Sequence, residues 1–560
     1  MPRREPRPRR ESRPSREPRE PGAAETALVF AAFLGAALLV YAPALRGAFV
    51  SDDFHYLANN AWLHELSLAN LRAILDPFGP TAINVVNYAP VQLLVHAGAW
   101  QLFGPETLGH HLVNVVLHAL ASALLALLFL RQGLPRGAAL FGGAFFLVHP
   151  ANVEAVAWIS QLKSSASLVL SLGALLAWPR RPVLSVACFA LALLAKATAA
   201  AVLPAALCFE WSRTGRLRGG RALACAALLA AFAAVELATH QRTGAAAAEL
   251  HATPFVLART IAALGLRYLV MAATSLGVSA FHEPEPARSP LDPWWLASLP
   301  VYALLAWRLV AAARRRSPEL GWWVFALASF APVSQLFPFL YPMADRYLYF
   351  ILPGLLGGAL FAAQQGAARL AGRSRELRRA GAALGVLACA LLGLRAHERA
   401  GIWRSSALLH ADAASHYPDG TVASLLRAKR AALAGDADTA LPALERAVAR
   451  GYNRFDQLEA DAAWDPVRAD PRFRALVRRL AAGWIESGRR KAHPTQTELR
   501  GIAQAYVARE EWAPALASYE AAVAAGGPDT AAIRAEIAAV RGALASGDPG
   551  VRVRLAPSGD

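Results

Sequence analysis

The sequence predicts an all-α polytopic membrane protein with about eleven transmembrane helices and a C-terminal helical array. Three observations lead to this fold class. Of the 560 residues, 56% are hydrophobic, which is rare in a soluble protein of this length. Several apolar stretches reach the roughly 20 residues that a helix needs to cross a bilayer. Beyond His397 the composition changes to Ala, Arg, Glu and Asp with a helical period.

The net charge of +17 does not indicate a nucleic-acid-binding protein. The arginines cluster in short loops between apolar runs, which is typical of cytoplasmic loops. Residues 1–22, rich in Arg, Pro and Glu, are predicted to form a disordered basic tail in the cytoplasm rather than a cleaved signal peptide. The four cysteines lie inside apolar runs, so neither a disulfide framework nor a zinc site is expected.

Charge counting assigns a side of the membrane to each end of the predicted spans. The first span, residues 23–50, leads outward from the basic tail, so the loop 51–87 is expected outside. Segment 255–281 is predicted to be juxtamembrane, because a crossing there would move the basic triplet 314–316 to the outer side. The remaining spans are predicted at 108–130, 138–148, 153–178, 222–238, 294–310, 321–340, 347–363 and 381–394. The transmembrane domain is thus 23–396, and the region 397–560 is expected in the periplasm.

Residues 183–210 are apolar and flanked by basic loops on both sides, so both ends are expected in the cytoplasm. This length is too short for two full spans but sufficient for a hairpin of two short, tilted helices. Lys196 falls at the predicted tip. It either reaches an outward-facing cavity or extends its ammonium group to the lipid headgroups.

Two stretches of the region 397–560 have the residue spacing of tetratricopeptide repeats. The weaker stretch has matching residues at Gly435, Asp436, Ala440, Leu444 and Ala447. The stronger one has them at Leu499, Ile502, Ala503, Tyr506, Ala515, Tyr519 and Ala522. Such offsets let antiparallel helices pack and stack on a neighbouring pair. A peptide or protein partner is expected for this region, with a generic helical array as the alternative.

Polar and ionisable residues recur at the predicted membrane ends, where they are functional candidates. They are Asp52-Asp53, the set His110, His111, Asn114 and His118, the run from His149 to Glu154, then Lys196, and Asp345-Arg346. The predicted topology brings most of them to the outer surface. There, acids can deprotonate an acceptor hydroxyl and cations can hold a phosphate leaving group. This chemistry suits glycosyl transfer from a lipid-phosphate sugar and requires no cofactor, although a divalent metal is compatible with it.

Each of these groups also has a structural interpretation. Asp52 and Asp53 could form a solvated helix end, and Glu154 could cap the helix that starts near it. Asp345 and Arg346 could pair with each other. The helix face with His111, Asn114 and His118 favours hydrogen bonds between helices over metal binding.

Four motifs, taken in order, resemble one family of membrane enzymes. They are the acidic pair after the first span, HPANVEAVAWIS from His149, the lysine in LLAKATAAAVLP, and ADRYLY around Arg346. They resemble the polyprenol-phosphate-sugar glycosyltransferases of the GT-C fold. The most similar branch is that of the transmembrane and TPR-containing protein O-mannosyltransferases and their bacterial relatives. The resemblance covers about residues 25–535.

The resemblance implies an inverting transferase in the bacterial inner membrane. Its donor would be a dolichyl- or undecaprenyl-phosphate sugar, mannose-like, and its acceptor a protein or another cell-envelope component on the outer face. Asp52 would be the catalytic base and Asp53 would orient the acceptor. Binding of the donor phosphate or lipid is assigned to Lys196, Arg346 and Lys163. Binding of the acceptor or the sugar is assigned to His149, Glu154, Tyr88 and His111.

Three positions depart from the family pattern. Many relatives have Lys-Glu where this chain has Lys196-Ala197, and Tyr-Arg-Pro where it has Tyr88-Ala89-Pro90. They also often have Gly-Arg or Ser-Arg where this chain has the run from Ser160 to Lys163. Lys163 could replace one missing arginine. The missing arginine of Tyr-Arg-Pro, where this chain has Ala89, supports the alternative function. This alternative is a non-catalytic membrane scaffold that binds envelope partners through its repeats. A transporter is a third class, for which the inverted repeat of broken helices is not apparent.

Overall fold

A computed structural model describes residues 22–85, 87–217, 219–243, 253–336, 341–369, 375–491, 494–526 and 529–546. The predicted tail 1–22 lies outside these ranges, except for Gly22. Within the described ranges the regular structure is helical and contains no strand, so the predicted all-α class is confirmed.

The first helices form one span and the loop region that follows it. They are α1 (Ala23–Tyr41), α2 (Ala61–His64), α3 (Leu68–Leu75), α4 (Pro80–Asn84) and α5 (Pro90–Phe103). The next group makes the centre of the membrane region. It consists of α6 (Thr107–Arg131), α7 (Arg136–Val148), α8 (Val153–Ala157), α9 (Leu162–Ala177), α10 (Pro182–Ala195) and α11 (Val202–Thr214).

Six further helices complete the membrane region, and all but the fourth are long. They are α12 (Gly219–Thr243), α13 (Pro254–Thr274), α14 (Pro293–Arg314), α15 (Glu319–Phe330), α16 (Asp345–Arg369) and α17 (Arg375–Ile402). Eight segments of the described chain are long and apolar enough to cross a membrane, or nine if the bent pair formed by α7 and residues 150–157 counts as one span. Two further predicted crossings fall on the shorter apolar helices α10 and α15. The protein is therefore polytopic.

The first predicted span is shorter than expected. It was expected to reach residue 50, but α1 ends at Tyr41 and a single 3₁₀ turn follows at Ala44–Arg46. Pro43 explains the early end, because it lacks the backbone N–H that would continue the helix.

Two other predicted segments are clarified by the helix boundaries. The apolar stretch 183–210 breaks at Lys196 as expected, but α10 packs on α9 and α12 whereas α11 packs mainly on α15. The two helices therefore have different neighbours. Helix α13 is continuous over 21 residues and is long enough to cross a membrane, so its juxtamembrane placement stays a prediction.

Close helix packing in the membrane region depends on small residues. A side chain at Gly354 would lie 2.5 Å from the backbone nitrogen of Ala326, and one at Gly357 would lie 2.2 Å from the Trp322 ring. These glycines let α16 and α15 approach closely, which is how helices commonly associate where apolar burial gives little advantage. The α15–α16 pair supports the helix end from which Arg346 extends.

The C-terminal region is a separate array with its own core. Its helices are α18 (Ser406–His416), α19 (Thr421–Leu433), α20 (Ala437–Ala449), α21 (Phe455–Ala460), α22 (Pro471–Arg489), α23 (Gln496–Ala508), α24 (Trp512–Ala525) and α25 (Thr530–Ser546). Helices α19 and α20 pack together, as do α23 and α24. Ala503, Tyr519 and Ala522 from the repeat-like spacing are buried. The pairing agrees with the expected helical array, and its identity as tetratricopeptide repeats stays a prediction.

Candidate active site

The segment 149–164 begins with a sharp bend. Helix α7 ends at Val148, and the following helical segment 150–157 lies at 53° to it. His149 forms the bend, because its Nδ1 accepts a 3.2 Å hydrogen bond from the Ala151 N–H and its Nε2 lies 3.2 Å from the Ala272 carbonyl. The ring is fully buried. His149 therefore fixes the start of this segment and ties it to α13.

Asp53 is attached to the far end of the same segment. Its Oδ1 accepts a 2.7 Å hydrogen bond from the Ser160 N–H, and its Oδ2 accepts a 3.0 Å bond from the Val50 N–H. The carboxyl group is fully buried. Burial raises the pKa of Asp53 to about 7, with the nearby charge of Asp52 adding to the rise and the two backbone bonds opposing it. This is not a solvated helix end.

Asp52 has a different environment from its neighbour. Its side chain is partly exposed, and Oδ1 lies 3.5 Å from the Ser51 hydroxyl, which is a weak contact. Asp52 also interacts electrostatically with Tyr341. The structure thus separates the acidic pair into one buried carboxyl group bound by backbone and one that is partly exposed.

Glu154 binds Arg346 rather than capping its own helix. Its Oε2 accepts a 2.7 Å hydrogen bond from the Arg346 backbone N–H, and its Oε1 accepts one from the Arg346 guanidinium. Glu154 is 2% exposed and the Arg346 side chain 14%. The structure therefore gives Arg346 a different partner from the Asp345 of the alternative interpretation. Glu154 takes the guanidinium because the first turn of α16 directs the two adjacent side chains to different neighbours.

Three aromatic rings surround the Arg346 guanidinium. The carbon Cζ lies 5.0 Å from the Tyr347 ring centre, 5.1 Å from that of Tyr341 and 5.4 Å from that of Trp158. Such contacts stabilise a cation electrostatically. The Trp158 indole N–H also donates a 3.2 Å hydrogen bond to the Val50 carbonyl. Trp158 therefore links the cation to the loop that carries the acids.

Two lysines lie near this arrangement. Lys163 Nζ is 3.1 Å from the Tyr56 hydroxyl and 4.6 Å from the centre of that ring. Lys196 Nζ donates a 2.8 Å hydrogen bond to Ser164 Oγ. Lys196 is also close enough to Lys163 and Arg346 for electrostatic interaction. Three basic side chains thus share one region, and Lys196 points into the protein rather than to lipid headgroups.

The remaining predicted site residues lie at the periphery. The Tyr88 hydroxyl donates to the Leu75 carbonyl at 2.9 Å, and burial raises its pKa. His111 is 2% exposed. His149 serves the bend described above. For Tyr88 and His149 the structure gives contacts within the chain, and the assignment of all three residues to acceptor or sugar stays a prediction.

Asn114 and His118, on the polar face of α6, make the expected hydrogen bonds between helices. Asn114 Nδ2 donates to the Trp158 and Ile159 carbonyls at 3.0 and 3.3 Å. His118 contacts the Tyr349 hydroxyl at 2.9 Å and the Leu147 carbonyl at 3.0 Å. Among the residues that the structure describes, no group of three or more His, Cys, Asp or Glu side chains is arranged to hold a metal ion.

Sequence reasoning did not identify two residues that contact the site. Glu236 accepts a 3.1 Å hydrogen bond from the Tyr88 N–H and interacts electrostatically with Lys163. It is the one acid within the apolar run of α12, and this signal could have revealed it. His282 lies 2.7 Å from Asp345, but its sequence surroundings carry no such signal.

Comparisons with known proteins give one partial similarity. No protein-family model matches the chain. The chain is similar to a protein named protein O-mannosyl-transferase Tmtc1 from Drosophila melanogaster, with 35% identity over 195 residues. The matched part is 32% of this chain and 22% of that protein, so the chain spans about a fifth of the length of this curated relative.

Proposed function

We propose that this protein is a membrane glycosyltransferase that moves a mannose-like sugar from a polyprenyl phosphate to a protein or cell-envelope acceptor. One observation carries the proposal. The segment 149–164 carries Lys163 and binds Asp53 through Ser160, Arg346 through Glu154 and Lys196 through Ser164. The neighbour of the proposed base and the three proposed phosphate ligands are thus attached to one segment of the chain.

The proposed reaction uses Asp52 as the base. An acceptor hydroxyl oxygen attacks the anomeric carbon of the donor sugar while Asp52 takes the hydroxyl proton. The new bond joins the acceptor oxygen to the anomeric carbon, and the bond from that carbon to the phosphate oxygen breaks. Its electron pair leaves with the polyprenyl phosphate. A single displacement of this kind inverts the anomeric configuration.

The cations would stabilise the leaving phosphate. Arg346 presents a planar donor group suited to phosphate oxygens, and Lys163 and Lys196 add mobile ammonium groups. Positive charge placed where negative charge develops lowers the barrier most when it is held in advance. Glu154 and the three aromatic rings hold Arg346 in this way. No step requires a cofactor.

The role of Asp53 follows from its two backbone bonds. Asp53 holds the Val50 and Ser160 N–H groups together and so keeps Asp52 at a fixed distance from the cations. A group with a pKa near 7 is largely neutral below that pH, which reduces its repulsion of the adjacent Asp52 carboxylate. The orientation of the acceptor by Asp53 is then indirect, through the position of Asp52.

The similar protein Tmtc1 supports the proposal by its name, which describes an O-mannosyl-transferase. The polytopic architecture suits a donor whose lipid remains in the bilayer. We place the site on the outer face of a bacterial inner membrane, with the N-terminus in the cytoplasm and the helical array in the periplasm. The positive-inside distribution of arginines supports this orientation. The array would bind a peptide segment of the acceptor or of another partner.

The test is turnover of defined donors by the full-length protein in nanodiscs. Labelled polyprenyl-phosphate mannose and polyprenyl-phosphate glucose are supplied with an envelope extract as acceptor, and release of polyprenyl phosphate is measured. The proposal expects release from at least one donor and none with Asp52→Asn. The absence of release from every donor, together with capture of envelope proteins by the array, would favour the scaffold.

A further inference from the structure

Residues 279–285 form an extended strap between the membrane region and the helical array. The strap follows α13 and runs toward α14 without regular secondary structure. On the membrane side, the Ser279 N–H donates to both carboxylate oxygens of Asp345, at 3.1 and 3.4 Å. Asp345 is the first residue of α16. The strap is therefore bound directly to the helix start next to Arg346.

The array binds the strap at several points. The Ala280 N–H donates a 2.8 Å hydrogen bond to Asp412. Glu283 accepts hydrogen bonds of 2.9 Å from the Thr421 N–H and hydroxyl. These are polar contacts between α18 or the start of α19 and a loop of the membrane region. They fix the strap to the array rather than leaving it to solvent.

His282 joins the two sides through one imidazole ring. Its Nε2 lies 2.7 Å from Asp345 Oδ1, and its Nδ1 lies 3.1 Å from the Tyr417 hydroxyl. The side chains of His282 and Asp345 are 1% and 2% exposed. In the neutral tautomer with the proton on Nε2, the ring donates to Asp345 and accepts from Tyr417. Both ring nitrogens are thus occupied, one toward the membrane region and one toward the array.

We infer that His282 is a positioning residue for Arg346, on which it acts through Asp345 in the first turn of α16. This inference rests on the proposed function. Asp345 and Arg346 are adjacent in the first turn of α16, so the bond that holds Asp345 also sets the direction of Arg346. Glu154 holds Arg346 from one side, and the strap holds the same turn from the other. With Glu154 bound to Arg346 and His282 bound to Asp345, the first turn of α16 has little rotational freedom.

Two substitutions separate the two contacts of His282. The amide nitrogen of Gln occupies nearly the position of Nε2, so His282→Gln keeps the bond to Asp345. The shorter Asn reaches only the position of Nδ1, so His282→Asn keeps the contact with Tyr417 and loses Asp345. Glu285→Gln is the matched control, because Glu285 lies at the end of the same strap in an exposed pair with Arg450, 3.3 Å apart.

The kinetic test compares these variants with the unchanged protein. His282→Asn is expected to raise the KM for the donor by about ten-fold or more and to leave the KM for the acceptor unchanged. His282→Gln and Glu285→Gln are expected to stay within about two-fold of the unchanged protein. Equal losses in the Asn and Gln variants, or a loss for donor and acceptor alike, would indicate a packing role and overturn the inference.

Hydrogen exchange gives a second measurement that does not depend on turnover. His282→Asn should reduce the protection of backbone amides at residues 345–348, while amides in α22 and α6 stay unchanged. Unchanged exchange at 345–348 would overturn the positioning role. If the unchanged protein releases no lipid phosphate from any donor, the proposed function fails, whereas the exchange result still decides whether His282 positions this turn.

Discussion

The backbone N–H of Ser160 donates a 2.7 Å hydrogen bond to Asp53 Oδ1 across 107 residues of sequence. This bond joins the loop after the first span to the segment that also holds Glu154. Because both ends are buried, its loss would leave an N–H group and a carboxyl oxygen without a partner, which costs about 1–3 kcal/mol for each group. Asp53 and the Glu154–Arg346 pair are therefore attached to the same segment of the chain.

Substitution of Asp52 tests the proposed base. Asp52→Asn should reduce transfer by about 10²-fold to 10⁴-fold, because an amide cannot take the acceptor proton. The thermal unfolding midpoint and membrane insertion should stay unchanged, since Asp52 is partly exposed and its 3.5 Å side-chain contact with Ser51 is weak. Sugar transfer and intrinsic-fluorescence unfolding are measured on the same preparation. Undiminished transfer by this variant would remove Asp52 from the mechanism.

Substitution of Asp53 tests its stabilising role through pH. Because the pKa is raised from 3.8 to about 7 in the folded protein, the folded state binds more protons than the unfolded state between these values. Stability should therefore fall as pH rises from about 4 to about 7, by at most about 1.4 kcal/mol per pH unit, and level off above. Unfolding midpoints at several pH values should show this slope in the unchanged protein.

Asp53→Asn is the matched variant for that pH series. The amide does not titrate, so the part of the slope that comes from Asp53 should disappear. The variant should also lose stability at every pH, because only one of its two terminal atoms can accept a backbone N–H bond. An unchanged slope would show that Asp53 is already ionised in the folded protein at pH 5.

The sequence revealed the helical class and the motifs because both depend on local patterns. Apolar runs and basic stops are visible without any tertiary contact. The partners of the charged side chains could not be predicted in this way. Arg346 and Glu154 are 192 residues apart. The sequence does not indicate whether Arg346 binds its neighbour Asp345 or a distant acid. The first turn of α16 decides this, because it turns adjacent side chains to different faces.

The difference between Asp52 and Asp53 was likewise hidden in the sequence. Both are adjacent acids after an apolar run, and the residue nearer the membrane was expected to be the base. The structure distinguishes them by burial and by backbone partners, which depend on where Ser160 lies. His282 was missed for a related reason. Its partners Asp345 and Tyr417 come from two regions that composition alone treats as separate domains.

A double-mutant cycle tests the Glu154–Arg346 pair. Each single substitution, Glu154→Gln or Arg346→Gln, should destabilise the protein by about 3–5 kcal/mol, because it leaves one buried charge without its partner. The double variant should lose less than the sum of the two, since it removes both charges. The free energy of unfolding is measured in a denaturant series for the unchanged protein, the two single variants and the double variant. Additive losses would contradict a coupled pair.

Arg308 and Glu319 supply the control for that cycle. They also form a partly buried ion pair, with N to O distances of 2.6 Å, but they contact none of the candidate site residues. Arg308→Gln with Glu319→Gln should show similar coupling in stability and leave the KM for the donor unchanged. Comparable effects on transfer from both pairs would mean that Arg346 acts only through stability.

Replacement of the two lysines tests the donor-phosphate assignment. Lys196→Met and Lys163→Met each remove one positive charge that would contact the phosphate, while keeping a long apolar side chain. Each should raise the KM for the donor by about ten-fold to a hundred-fold, the range for a lost charged hydrogen bond of about 1.5–3 kcal/mol. The product polyprenyl phosphate retains the same phosphate group, so its inhibition constant should rise by a similar factor.

Lys429→Met is the control for both lysines. Lys429 lies at an exposed pair with Asp461 in the array, and its replacement should change neither the KM for the donor nor the inhibition constant. A rise in the KM for the acceptor, with the inhibition constant unchanged, would assign these lysines to the acceptor instead.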